Sequence, residues 1–137
     1  TILGSCIGLV LYDLQAGVCA MAHVMLPSTP DAEVTMAGKY ANRALPALLR
    51  EMQKLGADRG RIKAKIAGGA AMFKTPIKNA NMDIGQRNAD MVRELLREAR
   101  IPLVAHNTGG MRGRKMTFDP GNGMALVEIH GEREVAI

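Results

Sequence analysis

Cys6 and His23 are the two side chains of this 137-residue sequence whose chemistry and spacing suggest a catalytic pair. If residues 13–16 form the loop of a β-hairpin and Tyr12 faces Gly17, counting back along both strands brings Cys6 opposite His23. Directly opposed residues share a face of the sheet, with Cβ atoms about 4.5–5.5 Å apart. A thiol attacks well only as the thiolate, and an imidazole at that distance can take its proton. A register shifted by one residue would separate the two side chains onto opposite faces.

Gly4 and Ser5 come directly before Cys6 and leave the approach to its thiol open. Main-chain N–H groups near Ser5 and Cys6 are therefore candidates for an oxyanion hole. An imidazole base is usually oriented by a third polar group. Thr1 and Ser5 are both close enough in sequence to take that role, and the sequence does not choose between them.

The alternative for each thiol is an ordinary core position, because an isolated cysteine in an apolar strand is usually a small buried residue. Cys19 lies inside an apolar run and fits this alternative well, whereas Cys6 follows a Gly-Ser pair and faces a histidine. His106 and His130 have no partner that spacing identifies. There is no CxxC or HxxxH spacing, so the sequence predicts no metal site.

Two glycine pairs, Gly68-Gly69 and Gly109-Gly110, invite comparison with phosphate-binding loops. Neither a GxGxxG nor a GxxxxGK[ST] pattern is present, so tight turns and close main-chain approach explain them better. We predict that these four glycines shape the rim of a pocket that admits a side chain from another molecule.

The composition is that of a globular protein, with 47% hydrophobic and 23% charged residues. The net charge is +5, but aromatic residues make up only 3% and Trp is missing, so a base-stacking nucleic-acid surface is not expected. No apolar run approaches the ~18 residues of a membrane helix, and no signal peptide is visible. We therefore expect a cytoplasmic protein without membrane insertion. The chain begins at Thr1 within an apolar segment, and we expect that residues preceding it are missing.

Hydrophobic periodicity predicts an α/β fold. Residues 6–13 are apolar on both parities, typical of a strand covered on both faces, whereas residues 61–67 alternate apolar and basic, typical of a half-exposed strand. The predicted strands are 6–13, 17–25, 61–67, 102–106, 114–119 and 124–130, the predicted helices are 36–55 and 84–99, and the predicted loops are 27–38, 74–82 and 107–110. The sequence thus predicts one domain over residues 1–137, a compact mixed or antiparallel sheet packed with two to three helices.

Helix boundaries carry their own signals. Pro46 lies inside the first helical pattern and predicts a kink or a later start. Gly56 follows that pattern and predicts its C-terminal cap. Asp83 and Gln86 have the spacing of a capping box at the start of the second helix.

Several sequence blocks together resemble one protein family. They are LGSC at 3–6, MAHVMLP at 21–27, KLGA at 54–57, KIAGGAAM at 65–72, IGQRN at 84–88, TGG at 108–110 and GRK at 113–115. In order and spacing the chain resembles the bacterial chemoreceptor glutamine deamidases, the CheD family. The LGSC and AHVMLP blocks are the most specific of the set.

The resemblance implies an α/β fold similar to toxin-type cysteine deamidases, with a catalytic pair at Cys6 and His23. The family's third residue is a Thr six positions before the Cys, a position that precedes residue 1 here. Thr1 stands five positions before Cys6, and in a continuous strand it would point to the other face. The implied substrates are methyl-accepting chemotaxis receptors, and some members bind a CheC-type chemotaxis phosphatase. No metal or organic cofactor is implied.

The resulting hypothesis is a protein-glutamine deamidase that forms a thioester on Cys6 and regulates chemotaxis. The basic excess would suit an acidic receptor surface. The alternatives are a non-catalytic module that binds receptors or a phosphatase, a thiol hydrolase acting on small amides or peptides, and a basic nucleic-acid binder.

Overall fold

The computed structural model describes residues 1–72 and 83–137. The predicted polar loop at 74–82 lies outside the described residues. Two α-helices are present in the described part, and a 3-10 turn at Ala37–Lys39 precedes the first. The helices are α1 (Ala41–Lys54) and α2 (Ile84–Glu98), and the strands are β1 (Ile2–Leu3), β2 (Ile7–Asp13), β3 (Val18–Val24), β4 (Lys63–Gly68), β5 (Leu103–Thr108), β6 (Arg114–Phe118), β7 (Ala125–Ile129) and β8 (Val135–Ala136).

The strands form two four-stranded sheets. The central sheet has the order β3-β2-β4-β5, in which β2 is antiparallel to both neighbours and β4 runs parallel to β5. The second sheet has the order β1-β6-β7-β8 and is antiparallel throughout. The predicted α/β class, with mixed and antiparallel sheets and two helices, is confirmed.

β2 is the strand around which both cores are built. Its odd-numbered residues, such as Leu9, pack with residues of α1 and α2 in one apolar cluster. Its even-numbered residues Val10 and Tyr12 pack against the second sheet, in a cluster that includes Met116. Side chains alternate between faces along a strand, so β2 is buried on both sides, as its apolar sequence predicted.

β4 corrects one expectation. It was predicted to be half exposed, but it lies between β2 and β5 and is buried from Ala64 to Gly68. Lys65 is only 7% exposed, and its Nζ donates to the main-chain oxygens of Gly123 (2.7 Å) and Ile137 (2.6 Å). The alternating pattern misled because main-chain carbonyls of the β6–β7 turn and of the residue after β8 accept from the buried ammonium, and sequence spacing does not reveal such distant partners.

The helix ends agree with most of the predicted signals. α1 starts at Ala41 rather than 36, and Pro46 lies in its second turn without ending it. Gly56 has a φ of +97° and donates to the Gln53 carbonyl, which confirms the predicted cap. At α2 the Asp83 carboxylate accepts from the Gln86 N–H at 3.1 Å.

Two further differences concern short segments, and one predicted hairpin is confirmed. Only half of the predicted capping box forms, because the Gln86 side chain donates to Asp90 instead of returning to Asp83. β5 continues to Thr108, so Asn107 and Thr108 belong to a strand and not to the predicted tight loop. The predicted hairpin of 114–119 and 124–130 is confirmed as β6 and β7. In the described residues, no helix is long and apolar enough to cross a membrane.

Candidate active site

The hairpin that carries the candidate pair has a different register from the predicted one. Asp13 pairs with Val18, so the loop spans 14–17, and Gly8, not Cys6, lies directly opposite His23. The Asp13 carboxylate accepts from the N–H groups of Gln15 and Ala16 and so holds the turn one residue later. Moving a four-residue loop by one position shifts the pairing by two residues.

A shift of two residues keeps every side chain on its predicted face, since the period of a strand is two. Cys6 immediately precedes Ile7, which pairs with Val24. Cys6 packs against the cluster that holds Val10 and Tyr12, on the even-numbered face of β2, and His23, which is paired with Gly8, lies on that same face. The thiol of Cys6 is half-buried against the core between the two sheets.

Thr1 contacts the imidazole of His23. Its Oγ1 lies 2.9 Å from His23 Nδ1. The main chain of Thr1 is held by Met116, with reciprocal N–H to carbonyl bonds of 2.8 Å each. The expectation that Thr1 would face away from the site is wrong, because the chain bends at residues 4–6 and passes from the second sheet into the central one. Strand parity does not carry across that bend.

Gly8 makes room for this contact, and sequence reasoning did not identify it. A Cβ at Gly8 would lie 3.0 Å from Leu3 Cδ1, 3.2 Å from Met116 Sδ and 3.4 Å from Thr1 Cγ2. Because Gly8 lies opposite His23, the missing side chain leaves the space that Thr1 occupies. The only sequence signal for this is a glycine inside an otherwise apolar strand, which often marks a close approach of another segment.

Gly68 and Gly69 are buried and lie against the main chain of Cys6. Gly68 has a φ of +114°, and a Cβ there would lie 2.1 Å from the Cys6 carbonyl oxygen. The Gly69 N–H donates to that same oxygen at 2.8 Å. These two glycines hold the main chain of Cys6 in place just before β2 begins. Their role at the rim of a substrate pocket stays a prediction.

Gly109 and Gly110 continue the same main-chain network. Both have positive φ, the Gly109 N–H donates to the Gly68 carbonyl at 3.0 Å, and the Gly110 carbonyl accepts from Ala71 at 2.8 Å. The buried Arg114 side chain donates to carbonyls of Asn107 and Gly109 and so holds this turn from behind. Gly110 is exposed, and a rim role for this pair also stays a prediction.

Ser5 takes part in the hydrogen bonds around the site through its main chain and not through its hydroxyl. Within residues 1–72 and 83–137 its hydroxyl makes no hydrogen bond, whereas its carbonyl accepts from Asn88 Nδ2 at 3.1 Å. The same Nδ2 donates to the Met25 carbonyl at 2.9 Å, and Asn88 is fully buried. Sequence reasoning missed Asn88 as a site residue. Its signal was a polar residue on the buried face of α2, beside Gly85 and Ala89.

Burial raises the pKa of the Cys6 thiol. Burial thus disfavours the thiolate, and attack by Cys6 requires a base that takes its proton. Cys19 is also free and half-buried, and it packs in the core between the sheets, as the core alternative expects. In the described part of the chain, no group of three or more His, Cys, Asp or Glu side chains is arranged to hold a metal ion.

Comparison with known proteins identifies the family. Residues 25–129 match the family described as CheD chemotactic sensory transduction. The chain is 46% identical over 130 residues to a protein of Clostridium botulinum strain Hall named "Probable chemoreceptor glutamine deamidase CheD", covering 94% of this chain and 80% of that relative. A protein of the same name from Clostridium novyi strain NT is 45% identical over the same coverage. The family match begins after Cys6 and His23, whereas the longer alignments span 94% of the chain. This chain belongs to the CheD family.

Proposed function

We propose that this chain is a chemoreceptor glutamine deamidase, in which Cys6 is the nucleophile and His23 is the base. The observation that carries the residue assignment is the 2.9 Å contact between Thr1 Oγ1 and His23 Nδ1, on the face of the sheet that His23 shares with Cys6. The substrate class comes from the names of the relatives, which are chemoreceptor glutamine deamidases.

The Thr1 contact engages Nδ1 of His23, and the mechanism uses the tautomer in which Nδ1 carries the proton. When Nδ1 donates to Thr1 Oγ1, Nε2 carries the lone pair that can accept a proton. The Cys6 thiol, whose pKa is raised by burial, is then deprotonated by Nε2 as the substrate docks. In this mechanism His23 acts as a general base towards Cys6.

Acylation follows. The Cys6 sulfur attacks the carboxamide carbon of the glutamine side chain, and the carbonyl π electrons move to oxygen. Main-chain N–H groups at the entrance to β2 hold that oxyanion. When the intermediate collapses, the C–N bond breaks, protonated His23 gives its proton to the leaving nitrogen, and ammonia departs. A glutamyl thioester remains on Cys6.

Deacylation uses the same groups. His23 takes a proton from water, the resulting hydroxide attacks the thioester carbon, and the C–S bond breaks with return of the proton to sulfur. The product is glutamate, which adds one negative charge to the receptor helix and changes its side-chain pairing. The atoms balance with water as the second substrate.

The test is conversion of Gln to Glu in a purified receptor cytoplasmic domain, followed by ammonia release and by peptide mass. We expect the wild-type chain to convert specific glutamines, Cys6→Ala to lose all conversion, and His23→Ala to lose most of it. Cys19→Ala is the matched control, since Cys19 is the other free, half-buried thiol, and it should retain activity. Glutamine conversion by the Cys6→Ala variant would show that Cys6 is not the nucleophile.

A non-catalytic receptor- or phosphatase-binding module is the second candidate, favoured by the raised thiol pKa of Cys6. It would be supported if the wild-type chain converts no glutamine yet co-purifies with the receptor domain. A CheC-type phosphatase as partner and a cytoplasmic location are further proposals that rest on the family resemblance.

A further inference from the structure

Asn88 links the two strand ends that carry Cys6 and His23. Its Nδ2 donates to the carbonyl of Ser5, directly before Cys6, at 3.1 Å and to the carbonyl of Met25, two residues after His23, at 2.9 Å. Carbonyl oxygens accept and never donate, so the atom that faces both must be the NH₂ group of the amide. Asn88 is fully buried in α2, and both N–H groups of its amide donate to these two carbonyls.

The Ser5 contact determines where the Cys6 N–H points. In a trans peptide unit the carbonyl and the N–H point in opposite directions, and no described peptide bond is cis. Because Asn88 draws the Ser5 carbonyl towards the buried side of α2, the Cys6 N–H is turned to the opposite side. No acceptor within residues 1–72 and 83–137 takes a hydrogen bond from that N–H.

The neighbouring peptide units are anchored as well. The Gly4 carbonyl accepts from Ala70 at 2.9 Å and the Cys6 carbonyl accepts from Gly69 at 2.8 Å. With the Ser5 carbonyl held by Asn88, three consecutive carbonyls around the nucleophile are engaged by the protein. Such a segment cannot rotate a peptide plane without breaking one of these bonds, which is the preorganisation that an oxyanion hole requires.

We propose that Asn88 is a positioning residue that orients the Cys6 N–H towards the oxyanion of the acyl intermediate. The inference rests on the proposed function of Cys6 as an acyl-forming nucleophile. Within the described residues, the Asn88 Oδ1 is buried and has no hydrogen-bond partner. An unpaired buried acceptor is destabilising, and the two hydrogen bonds that the NH₂ group donates to the strand ends offset that cost.

The test separates a reaction that forms an oxyanion from one that does not. Acylation of Cys6 by p-nitrophenyl acetate passes through a tetrahedral oxyanion, whereas alkylation of Cys6 by iodoacetamide displaces iodide at a saturated carbon. Asn88→Asp keeps the shape of the side chain and retains at most one donor, if its carboxyl protonates. We expect acylation to fall about 10²-fold, the usual effect of losing one oxyanion donor, while alkylation changes by less than about threefold, because no oxyanion forms in that reaction.

Two controls make the comparison specific. Gln86→Ala changes an exposed residue of the same helix and should leave both rates at their wild-type values. Cys6→Ala gives the contribution of Cys19, which is subtracted from each rate. If Asn88→Asp lacks the wild-type circular dichroism spectrum, Asn88→Ser, whose shorter side chain cannot reach both carbonyls, replaces it with the same expected selective loss.

Equal losses in acylation and alkylation would overturn the proposal, because they would mean that Asn88 supports the thiol or the fold in general. Unchanged acylation would overturn it as well. Neither reagent involves a receptor, so a selective acylation defect combined with no glutamine conversion by the wild-type chain would remove the proposed substrate and leave the role of Asn88 standing.

Discussion

The hydroxyl of Thr1 is the contact whose removal most directly tests the catalytic geometry. Thr1→Val keeps the branched side chain, including the methyl group that would lie 3.4 Å from a Cβ added at Gly8. It removes the oxygen that lies 2.9 Å from His23 Nδ1. The contact is exposed to solvent, so its net free energy should be in the ordinary range of about 0.5–1.5 kcal/mol. At about 1.4 kcal/mol per factor of ten, the turnover number should fall roughly twofold to twelvefold.

The assay is the initial rate of Gln to Glu conversion in a receptor cytoplasmic domain at saturating substrate, with the melting temperature measured in parallel. Thr1→Ser retains the hydroxyl and should keep most of the activity. Thr117→Val is the matched control, because Thr117 is an exposed threonine of β6 whose side chain bonds to no residue of the described part of the chain. It should behave as the wild type.

Two results would refute the reasoning about Thr1. A Thr1→Val variant with the wild-type turnover number would mean that the hydroxyl does not orient His23 during the reaction. A Thr1→Ser variant as impaired as Thr1→Val would mean that the hydroxyl without the methyl group, which packs near Gly8, is not sufficient to orient His23.

The remaining predictions concern the supports of the site. Gly68→Ala should abolish both deamidation and Cys6 alkylation, because the new Cβ would lie 2.1 Å from the Cys6 carbonyl oxygen. Gly17→Ala is the control, because Gly17 has a φ of +66° and a Cβ there would have no atom within 4 Å. It should lower the free energy of unfolding by about 1–2 kcal/mol, the cost of a left-handed backbone, and keep activity. The hydrogen bond from Arg61, with further bonds from main-chain N–H groups, holds the pKa of Asp13 well below its usual range. Its stabilisation is therefore present above the unfolded carboxyl pKa and is lost as the pH falls below about 4. Thermal unfolding should follow that decline in the wild type and be flatter, from a lower starting stability, in Asp13→Asn; parallel pH curves for the two proteins would contradict this.

The elements were largely predictable because they depend on local patterns. Side-chain periodicity and turn residues correctly predicted four features. They are the burial of β2 on both faces, the glycine cap after α1, the Asp83 cap of α2 and the hairpin around residues 120–123. The exceptions had non-local causes. Lys65 is buried because distant carbonyls accept from its ammonium, and Asn107 is in a strand because β5 pairs with β4 that far.

The sequence by itself determined that β2 is covered on both faces, and its motifs identified the family. A strand period of two also keeps His23 on its predicted face although the hairpin loop is displaced by one residue. Only the tertiary structure decided that Gly8, and not Cys6, lies opposite His23 and that Thr1 reaches Nδ1. It also decided that the missing side chain of Gly8 leaves room for Thr1 beside His23, and that Asn88 donates hydrogen bonds to both strand ends. These contacts join residues from two sheets and a helix, and the chain bend at residues 4–6 breaks the alternation from which strand neighbours are inferred. Periodicity reports which way a side chain points within one element, whereas an active site depends on how separate elements meet.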